Sequence, residues 1–144
     1  MADDWDAPAP HLIRIAVAAA DIDAYQHVNN AVYLSWLDRV AWSHSAALGV
    51  PLEECVRIGR GMAAHRTEID YLRAVVLGDE VQVATWIVAT DQRLRVERRF
   101  QIRRLPDGLT VARARIAYVC INLHSGRATR MPERFVSAYV VTGS

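Results

Sequence analysis

The chain has 144 residues, enough for one domain of ordinary size and too few for two. With 52% apolar and 23% charged residues it can bury a sizeable core, which excludes general disorder. No apolar run approaches the roughly 18 residues that span a bilayer. The opening Met1-Ala2-Asp3-Asp4 is acidic, the reverse of a signal peptide's basic start. Cys55 and Cys120 are too few for a disulfide scaffold and lack metal-ligand spacing. The expectation is a soluble, cytoplasmic single domain.

All seventeen basic residues are arginine, which excludes a Schiff-base lysine and a Walker A phosphate loop. Residues 1–92 hold six arginines against thirteen acids, a net −7, and residues 93–144 hold eleven against three, a net +8. Such an asymmetry could attract a polyanion, or the two parts could pair within the fold or between subunits. Nucleic-acid binding also wants clustered aromatics or a docking motif. Neither is present, so internal pairing is favoured and no nucleic-acid partner is expected.

Residues 1–10, with three acids and two prolines, read as a flexible arm, leaving residues 11–144 as the domain. Leu12 to Ala20, with Ile13, Ile15 and Val17 alternating, predicts a strand. The polar stretch from Asp21 to Val28 is a loop, after which Asn29 or Asn30 can cap a helix. From Ala31 to Leu48 no Pro or Gly intervenes, and Tyr33, Trp36, Leu37, Val40, His44, Ala47 and Leu48 form one stripe at helical spacing. Gly49 stops this helix and Pro51 prevents its resumption.

Strands follow. Ala63 to Leu72 is one, and Val81, Val83, Thr85 and Ile87 alternate across a second. In the third, Leu94, Val96, Phe100 and Ile102 alternate with Arg93, Arg95, Glu97, Arg99, Gln101 and Arg103. Pro106-Asp107-Gly108 makes a turn into Thr110–Asn122, and a short segment beyond Pro132 ends the chain. One strand, one long helix and about four antiparallel strands predict an α+β domain, its sheet wrapped around the single helix.

Several chemical motifs are excluded by context. Gly59-Arg60-Gly61-Met62-Ala63-Ala64 matches a dinucleotide fingerprint but leads into a strand, so no helix N-terminus is available for a pyrophosphate. A metal site from Asp21, Asp23 and His27 lacks matched ligands downstream, and no metal or cofactor is expected. The informative stretch is Asp23-Ala24-Tyr25-Gln26-His27-Val28-Asn29-Asn30-Ala31-Val32-Tyr33. It sets a carboxylate one loop upstream of a helix start, where unpaired N–H groups and the helix dipole favour negative charge. Either Asp23 caps a turn while His27 and the asparagines shape the helix entry, or these groups are a base and oxyanion donors for acyl transfer.

Asp23, His27, Val28, Asn29, Asn30 and Tyr33 reproduce six specified positions of a signature, Asp-x-x-x-His-Val-Asn-Asn-x-x-Tyr. On these residues the chain resembles the hotdog-fold thioesterases of the 4-hydroxybenzoyl-CoA and long-chain acyl-CoA thioesterase group. Plant acyl-carrier-protein thioesterases are similar over the same stretch. The resemblance extends through the preceding strand, through Leu34 and Trp36, and through Ile69–Arg73 to Gly78–Val81. Only the arm and the last dozen residues fall outside it. One departure is Gln26, where many members have glycine.

The resemblance implies an acyl-CoA thioesterase needing no cofactor, working as a homodimer or dimer of dimers with sites at the subunit interface. Asp23 would be the catalytic base or nucleophile, Asn30 would offer its backbone N–H to the thioester oxygen, and His27 and Asn29 would position the loop or a water. Asp38 falls where several members carry a helical acid, and is equally readable as a polar surface residue. CoA phosphates call for arginines, with Arg60, Arg66, Arg98 and Arg99 as candidates, and Tyr25, Tyr33 and Trp36 are candidates for the acyl pocket. Arg98 interrupts the apolar face of its strand, which would also suit a partner for Glu97 or for an acid of another subunit. An acyl-carrier-protein thioesterase, a non-catalytic acyl-CoA-binding hotdog module and a hotdog dehydratase are the competing functions. The retained Asp23 disfavours a mere binder, and His27 in the loop rather than paired with a helical acid disfavours the dehydratase.

Overall fold

The computed structural model describes residues 1–143. Strand β1 (His11–Ala16) leads through a 3-10 turn (Ala19–Asp21) to helix α1 (Asn30–Ala47) and a short α2 (Leu52–Ile58). Then come β2 (Arg60–Tyr71), β3 (Glu80–Thr90), β4 (Arg95–Leu105), β5 (Thr110–Asn122) and α3 (Glu133–Ala138). The sheet order is β1-β3-β4-β5-β2, antiparallel throughout, with β1 and β2 at the edges. Register shifts between Ala64 and Arg66, Ile87 and Ala89, and Ile102 and Arg103 mark bulges. Bulges bend and twist strands, which suits a sheet curved around a helix. No described helix is long and apolar enough to cross a membrane.

Helix α1 forms where the pattern predicts it. The Asn29 side chain accepts the Ala31 N–H at 2.9 Å, so Asn29 is the cap and Asn30 the first helical residue. At the other end Gly49, at φ 88°, donates its N–H to the Ala46 carbonyl and takes the left-handed conformation that ends helices. The inward face carries Tyr33, Trp36, Leu37, Val40 and Ala41, which pack on Val81, Val83, Phe100, Ile102, Ala112 and Ile116 of the sheet. Each large side chain buried there contributes roughly 1.5–3 kcal/mol. Leu37 is 1% exposed, and truncating such a residue to Ala costs about 2–5 kcal/mol. Towards its C-terminal end the buried stripe turns to His44 and Ser45, while Ala47 is exposed.

Four elements differ from expectation. The first strand ends at Ala16 because Asp21 closes a turn on Ala18, its carboxylate accepting the Ala18 N–H at 2.9 Å. Pro51 ends the path of α1 but caps the unpredicted α2, where a proline costs no needed donor, Glu53 and Glu54 occupy the first turn, and Gly59 at φ 79° stops it. Consequently β2 starts at Arg60, earlier than expected. The segment beyond Pro132 holds α3, whose Phe135 joins Tyr139, Cys55, Cys120 and Ile87 in a second core cluster.

Residues 3–8 run over the outer face of the sheet. Asp3 accepts the Thr110 N–H at 2.7 Å, and Gln101 exchanges side-chain bonds with the Asp6 N–H and the Asp4 carbonyl. Trp5 meets Trp86 edge to face, and the Trp86 indole donates to the Pro8 carbonyl. The asymmetry of charge is partly settled here, since Asp6 of the acidic part pairs with Arg113 of the basic part at 2.7 Å.

Candidate active site

The polar loop before α1 is a small hairpin. Ile22 and Val28 face each other across a bridge, flanked by the Asp23 N–H bonded to the His27 carbonyl (3.0 Å) and the Asn29 N–H bonded to the Asp21 carbonyl (2.9 Å). Ile22 and Val28 pack into the core. Side chains alternate across paired strands, so Asp23 and His27 stand opposite one another on the outward face. Asp23 is half-buried and His27 exposed. The Asp23 carboxylate accepts the Tyr25 N–H at 2.9 Å through Oδ1, and its carbonyl accepts the Gln26 N–H, which closes the tip. Gln26 sits at φ 64°, in the left-handed region that favours glycine. Tyr25 projects from the tip, 84% exposed.

The hairpin delivers the chain to the start of α1. Asn29 spends its side chain on the Ala31 N–H, and its carbonyl accepts from Val32 at 2.9 Å. The Asn30 N–H has no acceptor among the described residues, so it is the unspent donor of the first turn. A cleft of about 270 Å³ opens beside it, lined by His27, Asn30, Tyr33, Tyr71 and Arg73. The Tyr71 hydroxyl donates to the Asn30 carbonyl at 3.0 Å, and Tyr33 lies edge to face on Tyr71 at 5.0 Å. Burial, the nearby Tyr71 and the weaker opposing effect of Arg104 leave the Tyr33 phenol pushed up to about 12, so it is neutral at physiological pH. Tyr71 and Arg73 went unread as site residues, because no local spacing links a strand end to a helix start 41 positions away. Asp23 borders this cleft through its hairpin partner His27 without lining it within one chain.

A family model for the thioesterase-like superfamily matches residues 17–139. The chain belongs to the thioesterase-like superfamily. It is therefore a thioester hydrolase of the hotdog fold. It is 30% identical over 122 residues to the long-chain acyl-CoA thioesterase FadM of Escherichia coli K12, covering 80% of this chain and 86% of that protein. Among solved structures it is similar to a 1,4-dihydroxy-2-naphthoyl-CoA thioesterase from Synechocystis, with a TM-score of 0.80 at 19% identity over 91% of this chain and 96% of that one. It is also similar to a thioesterase complexed with coenzyme A and Zn from Thermus thermophilus, with a TM-score of 0.72 at 27% identity over 89% and 95% of the two chains.

Within this thioesterase-like fold the remaining candidates scatter. Trp36 is core, 2% exposed, and touches Tyr33 rather than any opening. Arg60 donates to the Gly59 carbonyl at the foot of β2, and Arg66 pairs with Glu68 on that edge strand. Arg99 lies on the outer face of the sheet, opposite Arg115 of β5 and Trp86 of β3. Asp38 is exposed on α1. Arg98 departs most from expectation. It is 3% exposed, turned inward with Val96 and Phe100, and far from being a mouth residue. Glu97 points to the other face and its nearest base is Arg115 at 3.8 Å. Among the described residues no three His, Cys, Asp or Glu side chains converge as a metal site.

Proposed function

We propose that the chain hydrolyses acyl-CoA thioesters, with Asp23 as base or nucleophile and the Asn30 N–H as oxyanion donor. The observation that carries this reading is the unspent Asn30 N–H at the mouth of a cleft, one hairpin away from Asp23. A thioester carbonyl seated on that N–H gains hydrogen bonding and helix-dipole stabilisation as its oxygen becomes anionic. One such donor is worth about 3–4 kcal/mol. With Asp23 as base, the carboxylate takes a proton from a water as its oxygen bonds to the carbonyl carbon. The tetrahedral intermediate then expels the CoA thiolate, which leaves protonated as the acid forms. With Asp23 as nucleophile, the carboxylate displaces the thiolate first and water opens the resulting anhydride. Tyr71 fixes the Asn30 peptide, and His27, opposite Asp23, orients the attacking group.

The working unit in this reading is a homodimer or a dimer of dimers. Asp23 and His27 face outward, so a second copy laid over the hairpin would enclose them and strengthen every charge interaction there. Edge strand β2 supports this: residues 64–68 are exposed along an unpaired edge, an unprotected feature in a lone domain. Release of free thiol from a panel of short, long and aromatic acyl-CoAs and acyl carrier proteins, with Asp23→Asn in parallel, tests the proposal. Turnover unchanged by that substitution removes Asp23 from the mechanism.

A further inference from the structure

Arg98 stands on β4 in an inward row otherwise made of Val96, Phe100 and Ile102, and is 3% exposed. Its Nη1 donates to His44 Nδ1 at 2.6 Å, and Nη2 donates to Ser45 Oγ at 3.1 Å and towards the Ala41 carbonyl at 3.5 Å. The Tyr139 ring centre lies 5.7 Å from the guanidinium carbon, and its hydroxyl is bonded to Ser45 at 2.9 Å. All these partners are neutral, His44 included, since it accepts a hydrogen bond on Nδ1. No carboxylate pairs with Arg98 among the described residues. An arginine keeps its proton inside proteins, so a full positive charge sits here among dipoles alone. Desolvating a charge is costly, and the cost is repaid by an opposite charge in good geometry.

Beside the guanidinium lies a cavity of about 100 Å³, behind the C-terminal half of α1. Two of the groups lining it have donors to spare. Arg98 engages three of its five N–H bonds, and the Tyr118 hydroxyl has no partner among the described residues. Burial above all, with Arg98 opposing it, leaves the Tyr118 phenol pushed up to about 12, so it keeps the proton it can donate. Ala41, Met62, Ala64 and Val96 make the wall apolar elsewhere. The volume takes about three water-sized groups, room for a halide ion with water on its open side. Charge and wall together select such an ion. An apolar wall returns none of the hydration that a divalent oxyanion surrenders, and a large monovalent halide surrenders least. Asp38 and Trp42 form an exposed rim, so the cavity is entered from solvent and not through the cleft at Asn30. The Asp38 charge opposes an entering anion, but it is solvated while Arg98 is not, so the buried cation dominates.

We propose that this cavity binds a monovalent halide such as chloride, held by the Arg98 guanidinium and the Tyr118 hydroxyl. The site stands whether or not the chain hydrolyses acyl-CoA. Sodium bromide is titrated into the full chain, at ionic strength held constant with sodium sulfate, while the backbone amides of Ser45 and Tyr118 are followed by NMR. Those amides should shift saturably with bromide and with chloride, and stay in place with sulfate. Arg98→Met should weaken bromide binding by about thirtyfold or more, the loss expected when a buried charge loses its partner. Tyr118→Phe should weaken it by about tenfold, the loss of one hydrogen bond to an ion, and Asp38→Asn should tighten it by about threefold. Crystals soaked in bromide should show an anomalous peak in contact with Arg98 and Tyr118 Oη. Unmoved amides, a response that sulfate reproduces, or an affinity that survives Arg98→Met overturns the proposal. A peak in the crystal without a saturable response in solution marks an adventitious ion only, and overturns it too. If Arg98→Met does not fold, Tyr118→Phe decides, since it removes a single oxygen, and unchanged affinity there overturns the site.

Discussion

The Tyr71 hydroxyl donates to the Asn30 carbonyl across 3.0 Å, tying the end of edge strand β2 to the first residue of α1. The peptide units on either side of Asn30 thereby have distinct duties. Its carbonyl is engaged by the strand, while its N–H has no acceptor among the described residues. Tyr71→Phe removes only the hydroxyl and should lower stability by about 1 kcal/mol. It should also reduce kcat more than it raises KM, since a looser Asn30 peptide meets the developing oxyanion less well. Thermal melts and steady-state kinetics on one acyl-CoA check both.

Asn30 itself offers a sharper test. It is the first helical residue, where proline is well tolerated, and Asn29 already has φ −61° and ψ 140°, the extended conformation a following proline requires. Asn30→Pro should leave the melting temperature close to that of the unsubstituted protein while cutting kcat by about 10²–10³, the cost of one oxyanion donor. Asn30→Ala keeps the N–H and should retain most activity. Equal loss in both variants would assign the role to the side chain.

Asp23→Asn should lower kcat by about 10²–10⁴, the range attributed to a general base, with little change in melting temperature. Single turnover in ¹⁸O-labelled water tests for the nucleophilic route. Label recovered in the Asp23 carboxylate marks it as the nucleophile, because only an anhydride opened at the aspartyl carbonyl places solvent oxygen there.

Asn29→Ala removes the side-chain acceptor of the Ala31 N–H and should cost about 1 kcal/mol of stability. Asn29→Asp restores an acceptor and should recover most of it. The Ala variant should also show faster amide exchange in the first turn of α1, measurable by NMR.

His44 gives the fold an acid-sensitive point. Burial above all, then the positive Arg98 and His11, which stacks on it at 4.8 Å, hold its imidazole at about 4 rather than 6.5. Below pH 6.5 the unfolded chain takes up a proton that the folded chain refuses, so this contribution is complete above pH 6.5 and is lost as the pH falls towards 4. Melting temperatures from pH 7.5 to 4 should therefore fall more steeply than for His44→Gln, which accepts from Arg98 without titrating. Coincident curves would show that His44 is not the group responsible.

Much of the fold was legible because its determinants are local. Asn29 at a cap, eighteen helical residues without Pro or Gly, and Gly49 at the stop make α1 readable from spacing alone. The Phe100–Ile102 alternation and the Asp107-Gly108 turn did the same for β4 and β5. What was misread depended on context. Pro51, read as barring resumption of one helix, instead caps another, and periodicity cannot tell these uses apart in a seven-residue element.

The sequence by itself determined the α+β class and the order of the five strands and the long helix, since each follows from short-range chemistry. Only the tertiary structure decided that Asn29, not Asn30, is the cap, that Tyr71 and Arg73 join the cleft, and that Arg98 lies inside the domain instead of at a phosphate-binding mouth. The reason is physical. A hydrogen bond or a desolvated charge depends on what the folded sheet brings within a few ångströms, and partners 41 or 54 residues apart leave no mark on local spacing.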